Sequence, residues 1–264
     1  DNMNSCILSK EDILCMQYAG MKPSRIMSPK LMPEEYAEAF EAYIDKAESV
    51  MSMQEEYGVI TLTFQDDNFP HSLRKIGNDC PPIIHCIGDL SLLAPTANRI
   101  AVIGARAASP IGLRKAYELG NKYAKEGNII VSGLALGCDK SAHEGCLDAD
   151  GRTIAIVASG LNITHPIENA PLQQRILENG GLILSEQPFG VKANPTRLVA
   201  RNRLQAALSS TVILAECPQQ SGSMHTMRFA RKYHKRCLVV SYPEYSDKNA
   251  GNELLINLNL ARSI

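Results

Sequence analysis

With 264 residues, 45% of them hydrophobic and 21% charged, the chain has a soluble globular composition and enough length to bury a large core. No apolar run approaches the roughly 20 residues that span a bilayer, so no membrane role is expected. The N-terminus lacks the basic and apolar segments of a secretory signal, and Met3 reads as the native start. The eight cysteines, Cys6, Cys15, Cys80, Cys86, Cys138, Cys146, Cys217 and Cys237, contain no C-x-x-C pair and read as reduced thiols in a cytoplasmic setting.

The net charge of −1 hides a segregation. Residues 1–58 carry eleven acids and five Lys/Arg, leaving 22 Lys/Arg against 17 acids for the remainder. Two stretches of that remainder, Asn98–Tyr117 and Gln187–Ala215, hold basic residues and no acid. Such segments are either solvated faces or binding surfaces for an anionic partner.

In chain order, Pro33-Glu34-Glu35 opens a helical pattern with Tyr36, Phe40, Tyr43, Ile44 and Ala47 on one stripe, stopped by Gly58. Residues 1–58 are expected to form a small helical N-terminal domain. Residues 59–98 read as a connector joining the sheet, with a strand at Val59–Phe64 and another apolar run at Ile83–Ile87. From residue 99 the apolar runs are short and do not alternate: 100–103, 129–131, 154–158, 182–184, 212–215 and 238–240. Parallel strands covered on both faces have this pattern. Helical patterns lie between most of them, at about 113–124, 139–149, 169–179, 198–209 and 223–235. This alternation predicts an α/β fold with an extended, doubly wound, mostly parallel Rossmann-like sheet over 99–241. Residues 242–264 read as a polar C-terminal tail with one apolar stretch, Leu254-Leu255-Ile256.

In an open parallel sheet, ligands bind beyond the carboxyl ends of the strands. The loops there are Gly104-Ala105-Arg106, Ser132-Gly133-Leu134-Ala135-Leu136-Gly137-Cys138-Asp139, and Ser221-Gly222-Ser223-Met224-His225-Thr226. The last two combine small residues with a helix start, a combination that offers backbone N–H groups and hydroxyls to phosphate, with Arg106 supplying charge. Asp139 reads first as a helix cap, and His143 as a histidine bonded to structure ahead of a catalyst. Glu186 and Glu216, at strand ends, are placed either to grip ribose hydroxyls or to accept loop N–H groups. Neither a G-x-G-x-x-G nor a G-x-x-x-x-G-K-[ST] motif occurs, and His and Cys lack metal-ligand spacing, so no cofactor and no metal are expected.

Phe69-Pro70-x-x-Leu73, Ile103-Gly104-Ala105-Arg106, the 132–139 loop with His143, Gly160-Leu161, Pro166, Gly180-Gly181, Ser185-Glu186, Arg201-Asn202-Arg203, Glu216, Ser221-Gly222-Ser223 and Thr226 occur in order across about residues 59–240. As a set they resemble the DprA/Smf DNA-processing proteins. The resemblance implies single-stranded DNA binding and protection, homodimerisation, loading of a RecA-type recombinase in natural transformation, and no catalysis. The DNA- or phosphate-binding candidates are Arg106, Ser132, Gly133, Gly137, Asp139, Lys140, His143, Lys192, Arg201, Asn202, Arg203, Ser221, Gly222, Ser223 and Thr226.

The sequence departs from the family pattern at Ala105 (usually Ser), at Leu198-Val199 (usually Phe-Pro), and at Asn162 and His165 (usually Asp and Tyr). No C-terminal winged helix is expected. The stretch Leu204, Ala206, Ala207, Leu208 is expected to leave apolar surface for a dimer. The same fold also houses nucleotide-sensing proteins and nucleoside-monophosphate phosphoribohydrolases. The loop at 221–226 lacks the hydrolases' Pro-Gly-Gly-x-Gly-Thr, which argues against the enzyme and leaves nucleotide sensing open.

Overall fold

The computed structural model describes residues 7–28 and 33–264; Met3 and Cys6 lie outside them. The helices are α1 (Lys10–Tyr18), α2 (Pro23–Ile26), α3 (Pro33–Tyr57), α4 (His71–Arg74), α5 (Pro110–Lys125), α6 (Cys138–Asp148), α7 (Ala170–Glu178), α8 (Pro195–Leu208), α9 (Gly222–Lys232) and α10 (Ala250–Asn257). The strands are β1 (Ile60–Thr63), β2 (Ile83–Gly88), β3 (Arg99–Ile103), β4 (Ile129–Ser132), β5 (Thr153–Val157), β6 (Leu182–Ser185), β7 (Thr211–Leu214), β8 (Arg236–Val239) and β9 (Arg262–Ser263). They form one sheet in the order β1-β2-β6-β5-β4-β3-β7-β8-β9. From β6 to β9 every pairing is parallel, while β1 and β2 run antiparallel and extend the β6 edge.

The central strands are apolar on both faces because both faces are covered. Ile100, Val102 and Ile130 meet Ala116 and Ala124 of α5 and Ala142 and Cys146 of α6. The alternate residues Ala101, Ile103 and Val131 meet Leu204, Ala207 and Leu208 of α8 and Met227 and Ala230 of α9. Leu204, Ala206, Ala207 and Leu208 are thus fully inside this core, which corrects the expectation that they leave apolar surface: helical spacing does not say which neighbour a stripe will meet. Beyond β4, the α5–α6 face continues under Ile13, Leu14, Met16 and Ile26, Ala47 and Val50, which share one cluster with Ile83, Ala155, Val157, Leu172 and Ile176.

The segment 242–264 is more than a tail. Leu255 of α10 is buried in the core beside α9, and β9 pairs with β8 through Leu238↔Arg262 and Val239↔Ser263. A strand of two residues has no periodicity to read. No helix among the described residues is long and apolar enough to cross a membrane.

Candidate functional site

β3 has β4 on one side and β7 on the other, so crossovers leave in opposite directions and open a crevice between the loops after β3 and β7. Backbone and carboxylate tie those loops together. Ala105 N–H donates to the Glu216 carbonyl at 2.8 Å, and the Glu216 carboxylate accepts from Ser109 N–H at 2.7 Å and Ser109 Oγ at 2.6 Å, where Ser109 caps α5. Glu186 accepts from Arg203 Nη1 at 2.5 Å. Both carboxylates are therefore engaged by the protein's own donors.

The glycine loop is held from four sides. Asp139 is the second residue of α6, and its Oδ2 accepts from Gly133 N–H at 3.1 Å and from Ala135 N–H at 3.4 Å. It tightens the loop rather than capping α6, whose N-cap is Gly137. Gly137 has φ 79°, and a Cβ there would stand 2.3 Å from the Arg106 carbonyl oxygen, so only glycine fits. Cys138 N–H donates to the Ala105 carbonyl at 3.1 Å, so the loop after β3 covers the N-terminus of α6.

Leu134 is fully buried with φ 59°, a conformation that branched apolar side chains avoid. His143 Nε2 accepts from its N–H at 3.3 Å, and Asn169 Nδ2 donates to its carbonyl at 2.8 Å. Thr153 Oγ1 gives its one proton to the Ile130 carbonyl, which requires His143 Nδ1 to donate to that hydroxyl at 2.7 Å. His143 is thereby a neutral imidazole with both nitrogens used, and burial followed by the nearby Arg201 charge pushes its pKa down to about 3.

The fourth support is Arg201 of α8. Its Nη1 donates to the carbonyls of Gly133 at 2.6 Å and Ile156 at 2.7 Å, and its Nε donates to Asn202 Oδ1 at 3.0 Å. Its guanidinium, Asp139 Oδ2 and Gln205 Nε2 all crowd the position that a Gly133 Cβ would take. Burial lowers the Arg201 pKa, with Asp139 opposing and Arg106 adding to the shift; burial raises that of Asp139, with Arg201 opposing. Asn202 Nδ2 reaches the Gly222 carbonyl at 3.2 Å and links this loop to the start of α9. Arg203 faces the other way, its Nε donating to the Asp79 carbonyl at 2.8 Å. Ser132 Oγ donates to the Val102 carbonyl at 2.7 Å.

The expectation that all fifteen candidates face a ligand therefore needs correcting. Ser132, Gly133, Asp139, His143, Arg201, Asn202 and Arg203 are buried and already bonded, because a strand-end loop buried under α8 must satisfy its polar groups internally. Gly137 is occupied in closing α6. Ser223 and Thr226 are buried near the start of α9.

What remains accessible is a smaller set. Arg106 is exposed, and no hydrogen bond or ion pair among the described residues uses its guanidinium. Ser221 caps α9, accepting from Ser223 N–H at 3.2 Å, and the space above exposed Gly222 is open, with only Asn202 Nδ2 at 3.8 Å from a would-be Cβ. Lys192 is exposed, and Lys140 makes only a 3.9 Å approach to Glu144.

Some residues of the site carried no local signal. Lys248, from the segment read as a tail, donates to the Ala107 carbonyl at 2.8 Å beside Arg106. Asn169 and Ser109 are single polar residues that bond Leu134, 35 positions away, and Glu216, 107 positions away. Among the described residues no group of three His, Cys, Asp or Glu could hold a metal ion.

A doubly wound, mostly parallel sheet with covering helices and a switch point between β3 and β7 defines a Rossmann-like protein. The chain matches the model of the family described as DNA recombination-mediator protein A over residues 60–264, and it belongs to that family. It is 35% identical over 188 residues to Protein Smf of Synechocystis, covering 70% of this chain and 46% of the relative. It is 34% identical over 199 residues to the DNA processing protein DprA of Streptococcus pneumoniae, covering 75% and 66%. The chain spans about half the length of the curated relatives it matches first. Among solved structures it is similar to DprA from S. pneumoniae, with TM-score 0.75, 28% identity and coverage of 97% and 90%. It is also similar to DNA processing protein A from Helicobacter pylori, whose single-stranded DNA binding mode that structure describes, with TM-score 0.70, 34% identity and coverage of 78% and 90%.

Proposed function

We propose that this protein binds the phosphate backbone of single-stranded DNA at the carboxyl edge of its sheet. The observation that carries the reading is Arg106: an exposed guanidinium with no hydrogen bond or ion pair among the described residues, on a loop whose carbonyl packs against Gly137, and near enough to buried Arg201 for the two charges to oppose each other. Ser221 and Gly222 at the start of α9 add backbone N–H groups within the same crevice, and Lys192, Lys140 and Lys248 add charge at its rim. A flexible strand can follow such a crevice where a rigid duplex cannot. With aromatic residues at 5% and no Trp, stacking contributes little and sequence preference is weak. By kinship with the DNA-processing relatives, the role extends to protecting incoming DNA in natural transformation, to homodimer formation and to delivery of the strand to a RecA-type recombinase. It is a binding role rather than a catalytic one, since Glu216, the carboxylate nearest the crevice, is committed to Ser109.

The test is a titration of single-stranded DNA, duplex and nucleoside monophosphates against the wild type and two variants. Arg106→Ala should weaken single-strand binding and leave the melting temperature unchanged. Arg201→Ala should unfold the protein more easily, by about 3 kcal/mol or more, because it strands two buried carbonyls and the buried Asp139. Three or four neutralised phosphates give a log K against log salt slope of about −2 to −3 for a single strand. Equal affinity for duplex, indifference to salt, or tighter binding of a monophosphate than of DNA would overturn the reading.

A further inference from the structure

Tyr57, the last residue of α3, is the most exposed aromatic side chain among the described residues, at 58% accessible. Its ring is nonetheless fixed in place. It meets Phe189 edge-on, with centroids 5.5 Å apart and planes at 83°. Phe189 is buried and donates its N–H at 2.9 Å to Gln54 Oε1 from the same helix. Gln17 Nε2 of α1 donates to the Glu186 carbonyl at 3.1 Å, so both N-terminal helices hold the loop that follows β6.

That loop stands beyond the carboxyl end of its strand. Gly160 N–H donates to the Val191 carbonyl at 2.8 Å and Gly190 N–H to Asn162 Oδ1 at 3.1 Å, which ties it to the loop after β5. The order β6-β5-β4-β3 sets these loops in one row with Arg106, three strand spacings or roughly 14 Å along the edge. Between the two ends the row exposes Leu136 and Asn162. Lys192, three residues and at most about 10 Å of chain beyond Phe189, is exposed. Its carbonyl is held by Arg197 Nη1 at 2.9 Å, and no ion pair among the described residues uses its ammonium.

Charge separates the roles of these two side chains. Glu55 and Glu56 precede Tyr57, are exposed, and pair with no cation among the described residues, so they repel a phosphate at the ring itself. An uncharged planar group meets no such penalty, and Met53, one turn earlier on the same stripe, adds exposed apolar surface beside the ring.

We propose that Tyr57 and Lys192 form the far end of the strand path, where Lys192 holds a phosphate and the Tyr57 ring stacks on the neighbouring base. The proposal rests on the reading of the crevice as a single-strand site and adds a subsite supplied by the N-terminal helices. One platform keeps the total contribution of stacking small, and every base offers a face to it, so sequence preference stays weak.

The experiment compares an oligothymidylate of about 15 nucleotides with an abasic phosphodiester strand of the same length, a span covering a small single-strand site. Tyr57→Ala should weaken the oligothymidylate about tenfold, leave the abasic strand unchanged, and keep the salt slope, since no phosphate contact is lost. Lys192→Gln should weaken both strands and flatten the slope by about 0.7. Tyr57→Phe should bind like wild type. Tyr57→Trp gives the chain its sole tryptophan, whose emission the oligothymidylate should quench and the abasic strand should not. Equal loss of both strands in Tyr57→Ala would reduce Tyr57 to a brace for the Phe189 loop. Unchanged binding of both, with Arg106→Ala losing both, would remove the platform and leave the crevice standing. A tryptophan emission that shifts with protein concentration alone would assign the patch to a second copy of the chain. Failure of the wild type to bind either strand would remove crevice and platform together.

Discussion

Burial decides the role of each histidine at the residue scale. His143 serves the strained Leu134 and Thr153, while His85 lies between Gln54 Nε2 at 2.9 Å and Thr61 Oγ1 at 3.1 Å. Burial first, then Arg201 for His143 and Lys10 for His85, pushes each pKa down to about 3. A histidine whose folded pKa lies below its unfolded value takes up a proton on unfolding between those two pH values. Its stabilisation is therefore complete above about pH 6.5 and is lost as pH falls toward 3. Each should cost about 2 kcal/mol between pH 7 and pH 5. Urea denaturation at the two pH values should show that fall, and His85→Leu should remove about half of it. An undiminished fall in the variant would place the titration elsewhere. Arg106 and Arg201 make the complementary point: the first is exposed and makes no hydrogen bond or ion pair among the described residues, and the second is spent on two carbonyls.

At the scale of elements, α6 and the loop after β3 are interlocked. The Gly137 φ of 79° lets Cys138 N–H reach Ala105, and the Arg106 carbonyl fills the place of the missing side chain. Gly137→Ala must move that carbonyl and strain the backbone together, so it should cost more than the ~1 kcal/mol of an ordinary Gly→Ala change in a left-handed position. Single-strand affinity should fall with stability, because Arg106 is carried on the displaced backbone. Retained affinity in a destabilised Gly137→Ala protein would show that Arg106 does not depend on this contact. α8 is the second unusual element: Arg201, Asn202, Arg203 and Gln205 are all buried on a helix, tolerated because each meets a carbonyl, a carboxylate or one another.

For the molecule as a whole, the N-terminal helices complete one face of the sheet. Ile13, Leu14 and Met16 of α1 and Ala47 and Val50 of α3 pack in one cluster with Ile83, Leu161, Leu172 and Phe189. Gln54 also accepts from Phe189 N–H at 2.9 Å and meets His85. A protein starting at residue 59 should therefore expose a contiguous apolar surface, bind a hydrophobic dye and aggregate at concentrations where the full chain stays in solution. A monomeric, dye-free fragment with an unchanged melting temperature would show that α1 and α3 are dispensable for the core.

What the sequence determined by itself was the order of elements. β-branched runs closing into small residues gave the strands from β3 to β8, because a strand buried on both faces must be apolar without alternation. The right-handed crossover then placed Arg106, the glycine loop and Ser221-Gly222 at one edge. The family was legible as well, since glycines and polar residues at strand ends are fixed by local backbone geometry. Only the tertiary structure decided which of those polar residues face solvent. Arg201 and Arg203 are indistinguishable from Arg106 as letters, yet α8 turns them inward, and that depends on carbonyls contributed by segments 45 to 124 residues away. It also turned the segment after residue 242 into α10 and β9 and brought Lys248 to the Ala107 carbonyl. Pairings of that separation leave no periodicity in the chain, because the forces that select them act only once the sheet exists.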